Sequence, residues 1–118
     1  LDKTTIGRDG EQAAVRFLER KGFRIVQTNY RVAGAEVDII AVCDDVLCFV
    51  EVKTRKSVAC GSPEDFVHPA KQRKIIRAAK FFSTRKAYRG FRIRFDVVAI
   101  LRDANGMTFD HLENAFEE

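Results

Sequence analysis

The sequence predicts an α/β domain: a mixed sheet flanked by helices, with elements in the order αβββαββ. Three observations carry that expectation. Two apolar runs, "AEVDIIAVC" (Ala35 to Cys43) and "VLCFVEVK" (Val46 to Lys53), meet at Asp44-Asp45 in the pattern of a hairpin. Helical periodicity precedes these runs and returns after them. The later helix falls between the third and fourth strands, where a crossover connection would need one.

The elements follow in order. Residues 5–22 place Ile6, Ala13, Ala14 and Phe17 at helical spacing, and Lys21-Gly22 is a stop signal. "FRIVQTNYRV", Phe23 to Val32, predicts the first strand, and the hairpin supplies the next two. Residues 54–62, "TRKSVACGS", predict a loop. Ser62-Pro63-Glu64-Asp65 has the chemistry of a helix start, with a capping hydroxyl, Pro at the first position and acids in the first turn. That helix is expected to be short and to stop near His68-Pro69, where His68 finishes a turn. A longer one should then run to about Tyr88, with Ile75, Ala78, Ala79 and Phe82 on its core face and Arg73, Arg77 and Lys80 opposite. Phe81 and Phe82 are expected in the core. "FRIRFDVVAIL", Phe91 to Leu101, predicts a strand in which Arg94 and Asp96 form a salt bridge. Asn105-Gly106 turns it into a short last strand, Met107 to His111.

Composition bounds the function. A chain of 118 residues suits one domain over residues 1–118, and 46% apolar content is that of a packed core. No apolar run approaches the ~18 residues of a membrane span. "LDKTTIGRDG" carries no apolar signal segment, and the cysteine usage is that expected of a cytoplasmic protein. Cys43, Cys48 and Cys60 are odd in number and lack CxxC spacing, which argues for reduced thiols. The net charge of +4 is unevenly spread: Phe66 to Phe95 holds ten Lys/Arg and no Asp or Glu, and from Asp103 onward there is no Lys or Arg. A one-signed block on a folded element suggests a polyanionic partner, the alternative being a solvated helix face.

The hairpin raises a chemical problem. Side chains alternate along a strand, so Glu36 and Asp38 share a face, as do Phe49, Glu51 and Lys53. A turn at Asp44-Asp45 sets Asp38 opposite Glu51, and Glu36 opposite Lys53. Opposed carboxylates repel one another. A bound Mg²⁺ or Mn²⁺ would remove the conflict, since both ions favour carboxylate oxygens and water. The alternative is a half-exposed face carrying cross-strand pairs such as Glu36–Lys53.

Several segments together resemble a known family. "GE" at Gly10-Glu11, "AEVDIIA" at Ala35 to Ala41, "FVEVKTR" at Phe49 to Arg55, Lys71 and "RFDVV" at Arg94 to Val98 resemble the YraN-like family of uncharacterised bacterial proteins, over about Ile6 to Ile100. That family is similar to the PD-(D/E)xK nucleases of restriction-endonuclease-like fold, with archaeal Holliday-junction resolvases as nearest relatives. The resemblance implies that Asp38 is the strand Asp, that Glu51, Val52 and Lys53 are the ExK motif, and that Glu11 is the helix-borne Glu. Val37 stands where the superfamily has Pro.

Under this resemblance Glu11, Asp38, Glu51 and Lys53 are the candidate catalytic residues. Asp38, Glu51 and Glu11 are the metal ligands for Mg²⁺ (or Mn²⁺). Gly10 would let the helix approach the sheet closely. Lys53 would orient or deprotonate a water, or stabilise the transition state as a cation, the second being preferred. Arg55, Lys56, Lys71, Arg73, Lys74, Arg77 and Lys80 are the candidate contacts to nucleic acid, expected to be DNA; such phosphate contacts carry no sequence information. The expected activity is structure-selective or nonspecific phosphodiester hydrolysis in repair or recombination, and junction resolvases suggest a homodimer by analogy. The alternative is a nucleic-acid-binding module that keeps the fold without efficient chemistry. Neither His68 nor His111 is expected to be catalytic.

Overall fold

The computed structural model describes residues 3–55 and 67–118. They form α1 (Lys3–Arg20), β1 (Arg24–Val32), β2 (Ala35–Cys43), β3 (Val46–Arg55), α2 (Pro69–Phe82), a 3₁₀ turn (Lys86–Tyr88), β4 (Arg92–Asp103) and β5 (Gly106–Phe116). The expected order αβββαββ holds. The five strands lie side by side in sequence order, with β3 central. Only the β3–β4 pair is parallel, and α2 lies in the connection between these two strands.

Alternation along β3 explains the layering. Leu47 and Phe49 pack with Ile75, Ala78, Ala79 and Phe82 of α2. Cys48 and Val50, on the other face, pack with Ala13, Ala14 and Leu18 of α1. Among the described residues each face therefore carries one α-helix, and the residues from Val46 to Glu51 are all buried.

The hairpin register is the one expected. Asp44 takes a left-handed conformation (φ 53°) in the turn, and the ladder runs from Cys43↔Val46 to Ile39↔Val50. It ends one step short of Asp38 and Glu51. There the Val52 N–H donates to Asp38 Oδ2 at 2.8 Å, so a side chain replaces the backbone partner. The expected Glu36–Lys53 apposition gives way to a pair on the other neighbour: Glu36 faces Arg31 of β1, Nε to Oε2 being 2.7 Å.

Four expectations are corrected. His68-Pro69 opens a helix: Pro69 begins α2 and the His68 ring Nδ1 caps it, accepting from the Ala70 N–H at 3.1 Å. That helix ends at Phe82, short of Tyr88. The Ser83 and Thr84 hydroxyls bond back to the carbonyls of Lys80 and Phe81, competing with further helix. Phe82 is buried as expected, but Phe81 is 52% exposed, because consecutive helical residues face different ways. The last strand extends to Phe116, whose ring stacks on Phe95. The expected helix start at Ser62 to Asp65, Cys60 and Lys56 lie outside the described residues. Among those residues, no helix is long and apolar enough to cross a membrane.

Arg94 and Asp96 form the expected salt bridge, and it is part of something larger. Asp96 is fully buried; Arg94 donates to it twice at 2.9 Å, and the Asn114 N–H donates at 3.0 Å. His111 Nε2 lies 2.8 Å from Asp96 Oδ2, and its Nδ1 lies 2.6 Å from Lys21 Nζ. This network ties the residue after α1 to β4 and β5.

Candidate active site

The site lies where β2 and β3 part. Parting frees Asp38, which the Val52 amide then orients. α1 brings Glu11 from one side. Its approach depends on Gly10: a Cβ there would lie 2.5 Å from Thr54 Oγ1 on β3, so any larger residue pushes the helix away or forces Thr54 to move. Glu11, Glu36 and Asp38 each present a carboxylate oxygen within 4.8 Å of the other two. All three side chains are half-buried.

Glu51 adjoins this trio from the central strand. It is 2% exposed, and Lys71 Nζ from the first turn of α2 lies 2.6 Å from its Oε2. That contact is an ion pair without hydrogen-bond alignment, and Oε1 has no hydrogen-bond partner among the described residues. Burial, then the adjacent Asp38, push the Glu51 carboxyl up to about 8, against the pull of Lys71. Burial and Asp38 likewise push Glu11 up to about 7, while the Asn29 carboxamide pulls it down.

The two lysines diverge. Burial and the neighbouring Lys71 hold the Lys53 ammonium below its ordinary value. Burial acts on Lys71 in the same sense, but contact with Glu51 more than reverses it, so Lys71 ends above its ordinary value. Lys71 thus stays a firm cation, and Lys53 is the more readily deprotonated of the two.

The sequence-derived residues therefore divide. Glu11, Asp38, Glu51, Lys53 and Lys71 come together. Arg73, Lys74 and Arg77 are exposed on the outer side of α2. Lys80 is exposed too, but it pairs with Glu118. Arg55 is half-buried at the end of β3 and donates to the Thr54 carbonyl at 3.1 Å. Two participants were not assigned a role from sequence. Glu36 shares the face of Asp38 and could have been found by alternation. Asn29 carries no periodic signal.

An oxygen-rich acidic cluster fits a hard divalent cation better than a soft one, and Glu51 Oε1 is a buried acceptor lacking a donor. These features define a mixed α/β protein with acids and lysines converging at a split in its sheet. The chain belongs to the uncharacterised protein family UPF0102, whose model matches residues 10–100. A UPF0102 protein of Desulforapulum autotrophicum is 44% identical over 98% of this chain and 95% of its own. Another, from Flavobacterium psychrophilum, is 40% identical over 94% and 92%. One from Prosthecochloris aestuarii is 49% identical over 81% and 76%.

Proposed function

We propose that the protein is a divalent-metal-dependent nuclease of the restriction-endonuclease-like class, cleaving phosphodiester bonds in DNA by structure or without sequence preference. One observation carries this reading: a central-strand glutamate, Glu51, is buried against a second carboxylate, Asp38, and neither of its oxygens makes an aligned hydrogen bond to a donor among the described residues. Placing two adjacent acids at a sheet interior costs stability unless a ligand uses them.

In this reading Asp38, Glu11 and Glu51 hold Mg²⁺ or Mn²⁺, with Glu36 available as a further oxygen donor. The ion supplies charge neutralisation at the phosphodiester and activation of water. Asp38 is held in place by the Val52 amide, and Gly10 sets how near Glu11 stands. Lys53, its ammonium held below the ordinary value by burial and Lys71, is placed either to accept a proton from the attacking water or to stabilise the transition state as a cation. With Glu51 engaged by the ion, Lys71 would be released from the ion pair it now makes and would be available to the phosphate as a cation. Arg73, Lys74 and Arg77 contact the nucleic-acid backbone without reading sequence.

A second reading is favoured by the Lys71–Glu51 pair itself, which already neutralises one acid without a metal. On that reading the chain is a nucleic-acid-binding module that keeps the fold and does little chemistry.

A cleavage screen separates the two. Linear duplex, single-stranded, flapped and four-way DNA, and RNA, are incubated with Mg²⁺ or Mn²⁺ and either the unmodified chain or Asp38→Ala. Cleavage lost in Asp38→Ala supports the nuclease. Binding without cleavage, or equal cleavage by both proteins, overturns it.

A further inference from the structure

Asn29 is a conformational exception at an informative place. It lies inside β1, yet its φ is 53°, where an extended strand has φ near −120 to −140°. Asn tolerates the left-handed region better than other residues with a side chain, but the conformation still carries strain. The flanking pairs Thr28↔Ile39 and Tyr30↔Val37 put Asn29 directly across from Asp38.

The exception has visible consequences on both strands. In β1, Thr28 and Asn29 are both exposed and Tyr30 is buried, so strict alternation fails. In β2, Ile39 packs in the cluster on the α1 side while Val37 packs in the cluster on the α2 side. A straight strand would send these two to one face. The ribbon of β1 and β2 therefore turns at the Asn29–Asp38 step, where the β2–β3 ladder also ends. On the other side, the Asn29 carboxamide is near enough to the Glu11 carboxylate to hold its pKa down against burial and Asp38.

Protection of an exposed sheet edge is the ordinary use of such an irregularity. β1 already has one, a register shift between Ile25 and Gln27. A second irregularity, opposite the central acid of the site and near the helix-borne acid, calls for another purpose.

We propose that Asn29 is a positioning residue of the acidic site. Its left-handed backbone turns the β1–β2 ribbon so that Asp38 faces Glu11, and its carboxamide fixes the Glu11 carboxylate. The inference rests on the reading of this cluster as a cation site.

Two substitutions separate backbone from side chain. Asn29→Gly keeps the left-handed φ and removes the carboxamide. Asn29→Val opposes the φ as well. Each variant is titrated calorimetrically with Mn²⁺ beside the unmodified chain and Asp38→Ala, and each is melted without metal. Asn29→Gly is expected to keep its Tm and to bind Mn²⁺ roughly 10–100-fold more weakly, as loss of a group that orients a ligand does. Asn29→Val is expected to bind at least as weakly and to melt lower. A purely structural Asn29 would move Tm and leave the affinity alone. If Asn29→Gly binds Mn²⁺ as the unmodified chain does while Asp38→Ala does not, the positioning role is overturned and the site stands. If the unmodified chain binds no Mn²⁺, both fall.

Discussion

Replacing Glu51 by Gln tests whether the buried acid exists for the fold or for a ligand. The Glu51 carboxyl is pushed from 4.5 up to about 8, burial being the main cause and Asp38 the next. The sign follows from linkage. Between those values the folded chain keeps a proton that the unfolded chain has released, so stability is fullest below pH 4.5 and falls as pH rises toward 8. At ~1.4 kcal/mol per pH unit the loss reaches roughly 4 kcal/mol by pH 8. Gln has nearly the same shape and no charge, so Glu51→Gln escapes that loss. The pull of Lys71 is already counted in that shift, and what returns part of the gain is the cost of burying a Gln amide that cannot use all its hydrogen-bonding groups there. A net gain of roughly 1–3 kcal/mol at pH 8 would raise Tm by roughly 4–12 °C for a domain of this length. Near pH 4.5 the two proteins should melt together. Thermal melts in chelator at both pH values provide the assay, and added Mn²⁺ should raise Tm only for the unmodified chain. A Glu51→Gln variant that melts lower at pH 8 would refute the reasoning and make Glu51 half of a structural ion pair.

Other perturbations have equally definite outcomes. Gly10→Ala should weaken Mn²⁺ binding about tenfold by displacing Glu11, and adding Thr54→Ala should restore it, since only Thr54 Oγ1 stands within 2.5 Å of the new Cβ. Isothermal titration of the single and double variants checks both. Asp96→Asn should cost about 3–5 kcal/mol in a denaturant melt at pH 7, because it leaves Arg94 and His111 without their buried acid. Burial raises the Asp96 pKa, but His111, Arg94 and the Asn114 amide more than reverse this. Its contribution is thus full above the ordinary value of 3.8 and fades as pH falls below it, so the two proteins should converge in acid. Replacing Arg73, Lys74 and Arg77 together by Gln should flatten the salt dependence of duplex binding by roughly 0.9 for each phosphate that is no longer neutralised. An unchanged slope would exclude this face of α2 from the proposed DNA contact.

What sequence could foresee here was set by local chemistry. The hairpin register was legible because Asp44-Asp45 leaves few turns, and a one-residue slip would turn every apolar side chain of β3 over. The central place of β3 was legible in its apolar run. Glu36 was misplaced because its partner depends on which strand lies on the far side of β2, a matter of topology rather than periodicity. The parting of strands at Asp38 was hidden because a carboxylate takes the place of a backbone carbonyl in accepting the Val52 N–H, and no residue pattern announces that exchange. Asn29 was hidden for a related reason: its side chain suits a strand edge as well as a left-handed kink, and only its φ tells them apart. The start of α2 just after His68 was legible, but the capping role of His68 was not, because an imidazole cap is an uncommon signal.

The nuclease proposal requires that these acids hold a divalent cation. Crystals soaked in Mn²⁺ and measured at an energy where manganese scatters anomalously test it most directly. An anomalous peak is expected between Asp38, Glu11 and Glu51, roughly 2.1 Å from their oxygens, with Lys71 withdrawn from Glu51. No peak there, with Lys71 still paired to Glu51, would contradict it.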